Sequence, residues 1–245
     1  MNLYRADLHM HTVLSPCGDL DMSPVNLVNQ AASCGLDIIA ITDHNSTLHG
    51  PIVRRLAKSK GIMVLYGAEV TTKEEAHCVC LFDTEEQRMV FQEYLETHLP
   101  NIPNNPDVFG YQVEVDENDE ILQEIEPLLI SALDVGVNQI EAYVHKLGGL
   151  FIPAHVNKTK YSLISQLGFV PFDLKFDALE LSQHTTVEEF KAKNSYLKSA
   201  RFIRSSDAHM LSQIGSAFTT LQMEHRTFDE LRKALNGIDG RDIIQ

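Results

Sequence analysis

The residues best suited to chemistry are histidines and carboxylates placed where apolar runs end. Asp7-Leu8-His9-Met10-His11-Thr12 puts one carboxylate and two imidazoles at alternate positions. In an extended segment alternate side chains share a side, so Asp7, His9 and His11 can converge. Alone, the triplet fits a metal-binding edge or a histidine-rich surface strand. Asp43-His44, Glu69, His155 and Asp207-Ala208-His209 extend the pattern, each following an apolar run, and His77 stands before one. Imidazole and carboxylate suit Zn²⁺, Mn²⁺ or Fe²⁺, and these donors are too many for one ion. A cluster of two or three divalent metals is the economical reading.

The elements between these groups predict how they meet. Ser23-Pro24 reads as an N-cap with proline at the first helical position, and Gly35 as the stop. Ile38-Ile39-Ala40-Ile41 lacks polar alternation, as a strand buried on both faces does. A helix over 51–60 closed by Gly61, then a strand over 62–66, repeats the order. Strand, helix, strand with polar residues after each strand marks parallel β/α units, whose functional groups gather at the carboxyl ends. His77 precedes its strand (77–82), which predicts that this strand runs antiparallel to its neighbour. Capping boxes at Thr84/Gln87 and Thr186/Glu189 open further helices. A helix over 138–147 and strands over 150–154, 178–181, 202–203 and 217–221 lead to a last helix opened by Thr227 and stopped by Gly237.

Residues 100–127 differ. Pro100, Pro103 and Pro106 sit among asparagines, followed by Glu114, Asp116, Glu117, Asp119 and Glu120. The segment is expected to be a solvated insertion that can act as a lid; it lacks the spacing and glycine of an EF-hand loop.

Composition narrows the function. A 44% hydrophobic content supplies a core, and no internal repeat divides the 245 residues, so a single domain over 1–245 is expected. A net charge of −14 argues against long nucleic acid as a partner, since that affinity rests on Lys and Arg. Bound cations would offset this locally for a small anionic substrate. No leader pattern or membrane span is read, and Cys17, Cys34, Cys78 and Cys80 form no dense framework, so a cytoplasmic protein with reduced thiols is expected.

Taken together, Asp7-Leu8-His9-Met10-His11-Thr12, Thr42-Asp43-His44, Glu69, His155 and Ser206-Asp207-Ala208-His209 resemble the PHP family, named for polymerase and histidinol phosphatase domains. The matches span nearly the whole chain. The resemblance implies an α/β fold, a distorted (β/α)7 TIM-like barrel with up to three metals at its carboxyl-end rim. It implies that His9, His11, Glu69 and Asp207 hold the first metal, that Glu69 bridges to a second held by His77 and His155, and that His44 and His209 hold the third. Histidinol phosphatase-like members place a further histidine where this chain has Cys17; Cys17 as thiolate or the nearby Asp19 would have to complete that site. The implied reaction is phosphoester hydrolysis by a metal-activated hydroxide. Asp7 would orient a ligating histidine from behind, or cap the strand end. Arg204 and Lys158 could grip a phosphate, and His184 could serve as an acid or substrate contact at the rim. His49, His98, His145 and His225 are read as structural or exposed, and Cys34, Cys78 and Cys80 as core residues.

The leading expectation is therefore a metal-dependent phosphoesterase for a small phosphorylated metabolite or nucleotide. A nuclease on short oligonucleotides and a non-catalytic metal-binding scaffold are the alternatives. An amidohydrolase-type enzyme shares the barrel but would add a bridging lysine not identified here.

Overall fold

The computed structural model describes residues 1–244. In chain order the elements are β1 (Asn2–Asp7), α1 (Pro24–Ser33), β2 (Ile38–Ile41), α2 (Gly50–Ala57), β3 (Met63–Thr71), β4 (His77–Phe82), α3 (Glu85–His98), α4 (Pro106–Phe109), β5 (Val113–Val115), β6 (Ile121–Glu124), α5 (Val137–Lys146), β7 (Leu150–Pro153), α6 (Leu163–Leu167), β8 (Leu179–Glu180), α7 (Val187–Lys193), β9 (Phe202–Ile203), β10 (Thr219–Met223), α8 (Phe228–Asn236) and β11 (Asp242–Ile244). The local signals act as chemistry predicts. The Ser23 side chain accepts from Asn26 N–H with Pro24 at the first turn, and the boxes at Thr84/Gln87 and Thr186/Glu189 are both formed.

β1, β2 and β3 are parallel. β4 pairs antiparallel with both β3 and β7, so its first residue, His77, lies at the end where its neighbours finish. β8 and β9 are parallel, and β8 is joined to β7 by bonds from Asp177 N–H to the Phe151 carbonyl and from Val156 N–H to the Glu180 carbonyl. The ring closes on β1 through a parallel bridge between Met10 and Ala208. Seven staves thus enclose the interior, with β4 reversed among them. β10 runs antiparallel along Asn2–Ala6 and carries β11 outside the ring.

Leu8, Ile38, Ala40, Leu65, Val79 and Ile152 meet inside, and Phe228, Leu231 and Leu235 of α8 join the same cluster. Because β10 delivers α8 beside Asn2, that helix plugs the end opposite His9 and His11. α3, α5 and α7 bury their apolar faces against β4, β7 and β9, and α1 and α2 pack outside β2 and β3. Among the described residues no helix is long and apolar enough to cross a membrane.

The insertion is more ordered than a solvated loop. It folds as α4 and the β5–β6 hairpin, burying Val113, Val115 and Gln112. Val113 N–H bonds the Val13 carbonyl, and Val113 and Val115 pack with Val13 and Ile52. Two buried valines contribute about 1.5–3 kcal/mol each, enough to dock a short hairpin. Asp116, Glu117, Asp119 and Glu120 keep to the outer turn, where Asp116 Oδ1 accepts from Asn118 and Glu120 N–H.

His49 fastens this hairpin. Its Nε2 accepts from Val115 N–H at 3.0 Å, so the proton sits on Nδ1, which faces Thr12 Oγ1 at 2.5 Å. Burial pulls its pKa from 6.5 down to about 4. Between these values the unfolded chain binds more protons, so the stability His49 contributes is present above pH 6.5 and is lost as pH falls through 4. Its full share is about 3 kcal/mol. In chelated protein, urea unfolding between roughly pH 7 and pH 4.5 should show a shallower pH slope for His49→Gln than for the parent; equal slopes would rule this out.

Candidate metal centre

The donors stand at one rim. His9 and His11 continue past β1, His44 follows β2, Glu69 lies within β3, His77 opens β4, His155 follows β7, and Asp207 and His209 follow β9. All except Asp207 and His209 are buried, and Asp207 is only 19% exposed at its side chain. Asn45, His155 and Asp207 adopt left-handed backbone (φ 44°, 30° and 52°), a conformation uncommon outside glycine and found at sites where surrounding structure over-determines it.

Glu69 is the hub. Its Oε1 lies 2.8 Å from His77 Nδ1, 3.1 Å from His155 Nε2 and 3.2 Å from His9 Nε2, and its Oε2 lies 3.2 Å from His44 Nδ1 and 3.4 Å from His11 Nε2. Burial alone would raise its pKa, but His77, His9 and His44 hold it well below the carboxylate range. Among the described residues, three groups have donor atoms within 4.8 Å of one another: His9/His11/Glu69/Asp207, His44/Glu69/His77, and His11/His44/His209.

The donors fit divalent metals. His9 Nε2, His11 Nε2 and His44 Nδ1 are buried without a hydrogen-bond partner, although carboxylate oxygens lie within 3.5 Å. A buried, unsatisfied polar nitrogen costs about 1–3 kcal/mol, so three around one carboxylate mark ring nitrogens directed at a shared space.

Other groups fix which nitrogen points inward. His9 Nδ1 meets Glu180 Oε2 at 3.0 Å, and the same carboxylate accepts His155 N–H. Burial would lower the His9 pKa, but Glu180, Glu69 and Asp207 raise it well above 6.5, and His9 in turn lowers that of Glu180. His11 Nδ1 bonds Ser15 Oγ, which donates to Asp43 Oδ1. Burial, with His209, pulls His11 down to about 4, leaving it neutral with Nε2 free to donate its lone pair. His209 Nδ1 bonds the Asp207 carbonyl, freeing Nε2. Such partners orient metal-binding imidazoles and raise their basicity. Glu180 and Ser15 were not anticipated. The signal for Glu180 was a lone carboxylate inside the apolar run Ala178-Leu179-Glu180-Leu181.

Several expectations need correction. Asp7 does not touch a histidine of the cluster: its two oxygens accept Ser206 and Gly215 N–H, securing the loop that carries Asp207 and His209, and burial raises its pKa to about 6. Arg204 does not face the donors; its guanidinium bonds the Ser182 and Thr185 carbonyls. Asp19 is exposed and its Oδ1 accepts Asp21 N–H. Lys158 and His184 do line the cavity over the donors, which measures about 630 Å³, and Lys158 Nζ bonds Asp207. Cys17 also lines it, yet is exposed and belongs to none of the three converging groups. Cys17→Ala is therefore expected to keep metal content and to change activity by less than about threefold, a small effect on the scale where tenfold is 1.4 kcal/mol; loss of one metal equivalent by plasma emission would contradict this. His49 is buried and structural, while His98 and His145 bond Asp134 and Asp177 away from the rim.

Comparison with known proteins identifies the family and the fold. The model of the PHP domain matches residues 7–146, more than half of the chain, and that of the PHP-associated segment matches residues 198–237. The chain belongs to the PHP family. This PHP chain is 36% identical over 78 residues to an uncharacterised protein of Methanocaldococcus jannaschii, covering 29% of this chain and 46% of that one. A lesion-specific endonuclease from Pyrococcus furiosus superposes with a TM-score of 0.76 at 21% identity, covering 99% of this chain and 58% of the endonuclease. A candidate metal-dependent phosphoesterase from Bifidobacterium adolescentis gives a TM-score of 0.56 at 20% identity, covering 83% and 87%. At these identities the two structures share the fold. This chain spans about half the length of the first relative and under two thirds of the endonuclease.

Proposed function

We propose that this PHP chain is a cytoplasmic metal-dependent phosphoesterase that hydrolyses a small phosphorylated metabolite or nucleotide. The observation that carries the reading is Glu69, one buried carboxylate shared by two of the three donor groups and in contact with five imidazoles, beneath a cavity whose wall includes Lys158 and Lys160. His9, His11, Glu69 and Asp207 would hold one divalent cation, Glu69 with His77 and His155 a second, and His44 with His209 a third that His11 also approaches. Zn²⁺, Mn²⁺ or Fe²⁺ suit this set. Bound there, they would bring a water near neutral pKa, hold the phosphoryl oxygens and take up charge on the departing oxygen.

The chain's own groups do the rest. Glu180 and Ser15 keep His9 and His11 in their donating tautomers. Burial opposes the charge on Lys158, but Asp207 outweighs it and raises its pKa, so Lys158 offers a fixed positive point to a phosphoryl oxygen. His184, also on the cavity wall, is the group available to pass a proton to the departing oxygen. A second reading, a nuclease on short oligonucleotides, is favoured by the superposition on the endonuclease over 99% of this chain. The net charge of −14 weighs against long duplexes.

Phosphate release from a panel of phosphorylated metabolites, with Mn²⁺, Zn²⁺ or Fe²⁺ restored after chelation, tests the proposal. Turnover should depend on the metal and fall at least about 10³-fold in His9→Ala and Asp207→Ala. Silence with every metal and compound would defeat it.

A further inference from the structure

The cavity over the donors does not stand alone. A second chamber of about 620 Å³ adjoins the first, of about 630 Å³, and the two share Asn157, Lys158, Thr159 and His184 as lining. These four residues form a ridge, and the ridge is built to stay in place. Asn157 exchanges two hydrogen bonds with Ser182, each 2.8 Å: its Nδ2 donates to Ser182 Oγ and its Oδ1 accepts Ser182 N–H. Ser162 Oγ donates to the Lys158 carbonyl, and Arg204 holds the Ser182 and Thr185 carbonyls from behind. The loops after β7 and β8 are thereby locked together with Lys158 between the chambers.

The chambers differ in character. The first carries the donors on its floor and Ile130 and Tyr161 on its walls; the Tyr161 ring stacks on His77 at 4.9 Å and 11° and remains 48% exposed. The second lies toward α7, and its lining holds Lys158, Lys193 and His184 but, among the described residues, no carboxylate. That is notable in a chain of net charge −14. A phosphomonoester has one organic group and would use one chamber. A phosphodiester held by Lys158 has two, directed to opposite sides of the phosphorus.

Resting on the phosphoesterase reading, we propose that the substrate is a small phosphodiester straddling this ridge, with its apolar or aromatic ester group beside Tyr161 and its polar or anionic ester group in the chamber beside Lys193. In the reaction a water oxygen bonds to phosphorus as the bond from phosphorus to one ester oxygen breaks. One water proton ends on the departing alcohol and the other passes to solvent, giving a phosphomonoester and an alcohol with no change of oxidation state.

Two probes with the same leaving group test this: p-nitrophenyl phosphate and the p-nitrophenyl ester of thymidine 5′-monophosphate, each with metal restored. The diester should show kcat/KM at least about tenfold higher. Thr185→Trp, which fills the second chamber, should lower the diester-to-monoester ratio about tenfold or more at unchanged metal content, while Thr185→Ser keeps the ratio. Equal or faster turnover of the monoester by the parent overturns the diester assignment and leaves the phosphoesterase reading standing. A ratio unmoved by Thr185→Trp in folded, metal-loaded protein overturns the role of the second chamber. No release from either ester with any metal removes the phosphoesterase reading, and this inference with it.

Discussion

Glu69→Gln is expected to lower kcat/KM by at least about 10³-fold, or about 4 kcal/mol, and to strip most of the metal. The amide keeps the size of the side chain but offers one acceptor in place of two and has no charge. In the parent both oxygens are engaged, Oε1 by His77, His155 and His9 and Oε2 by His44 and His11. The substitution would therefore damage two donor groups at once, whereas His77→Ala removes one donor from one group. Plasma emission after dialysis against metal, read beside turnover, checks this. Retention of the full metal complement would show that Glu69 is not the shared ligand.

Glu180→Gln is expected to weaken the same centre through His9. Glu180 faces the side of His9 away from the shared space and accepts both from that ring and from His155 N–H. An uncharged acceptor preserves the hydrogen-bond pattern yet withdraws the negative charge that makes His9 more basic, and partners of this kind are worth about 10–100-fold in metal affinity or activity. Competition with a chromophoric chelator should show that weakening, with His9→Ala as the larger reference loss. An unchanged affinity would reduce Glu180 to a packing role. Glu180→Ala is a poorer test, because it also leaves His155 N–H buried without its acceptor.

Much of this site was legible because its donors are named by position along the strands. The alternation in His9 and His11, the unalternating run before His44 and the placement of His77 before rather than after its strand all translate into geometry through the two-residue repeat and the direction of the chain. The reversal of β4 follows from that single displacement. What was not legible depends on which way a side chain turns. Arg204 adjoins Ser205-Ser206-Asp207 in sequence, but its guanidinium faces the neighbouring loop carbonyls. Ser15 sits in a turn, where no periodicity announces an inward hydroxyl. The docking of the insertion was not legible for a different reason: its acidic turn dominates the composition, while the alternation Val113-Glu114-Val115 that docks it occupies only three residues.

The closure of the ring has a further consequence. The main-chain bonds between the end of β1 and the segment after β9 lie beyond Asp7: His11 N–H to the Ala208 carbonyl, Asp207 N–H to the His9 carbonyl and the Met10/Ala208 bridge. The residues that make this seam also bear His9 and His11 on one lip and Asp207 and His209 on the other. An ion gripped from both lips would act as a clasp: its binding energy adds directly to the work needed to part them. Slow amide exchange at His11 and Asp207 would then report metal occupancy, because their N–H groups close the seam between the two donor-bearing lips.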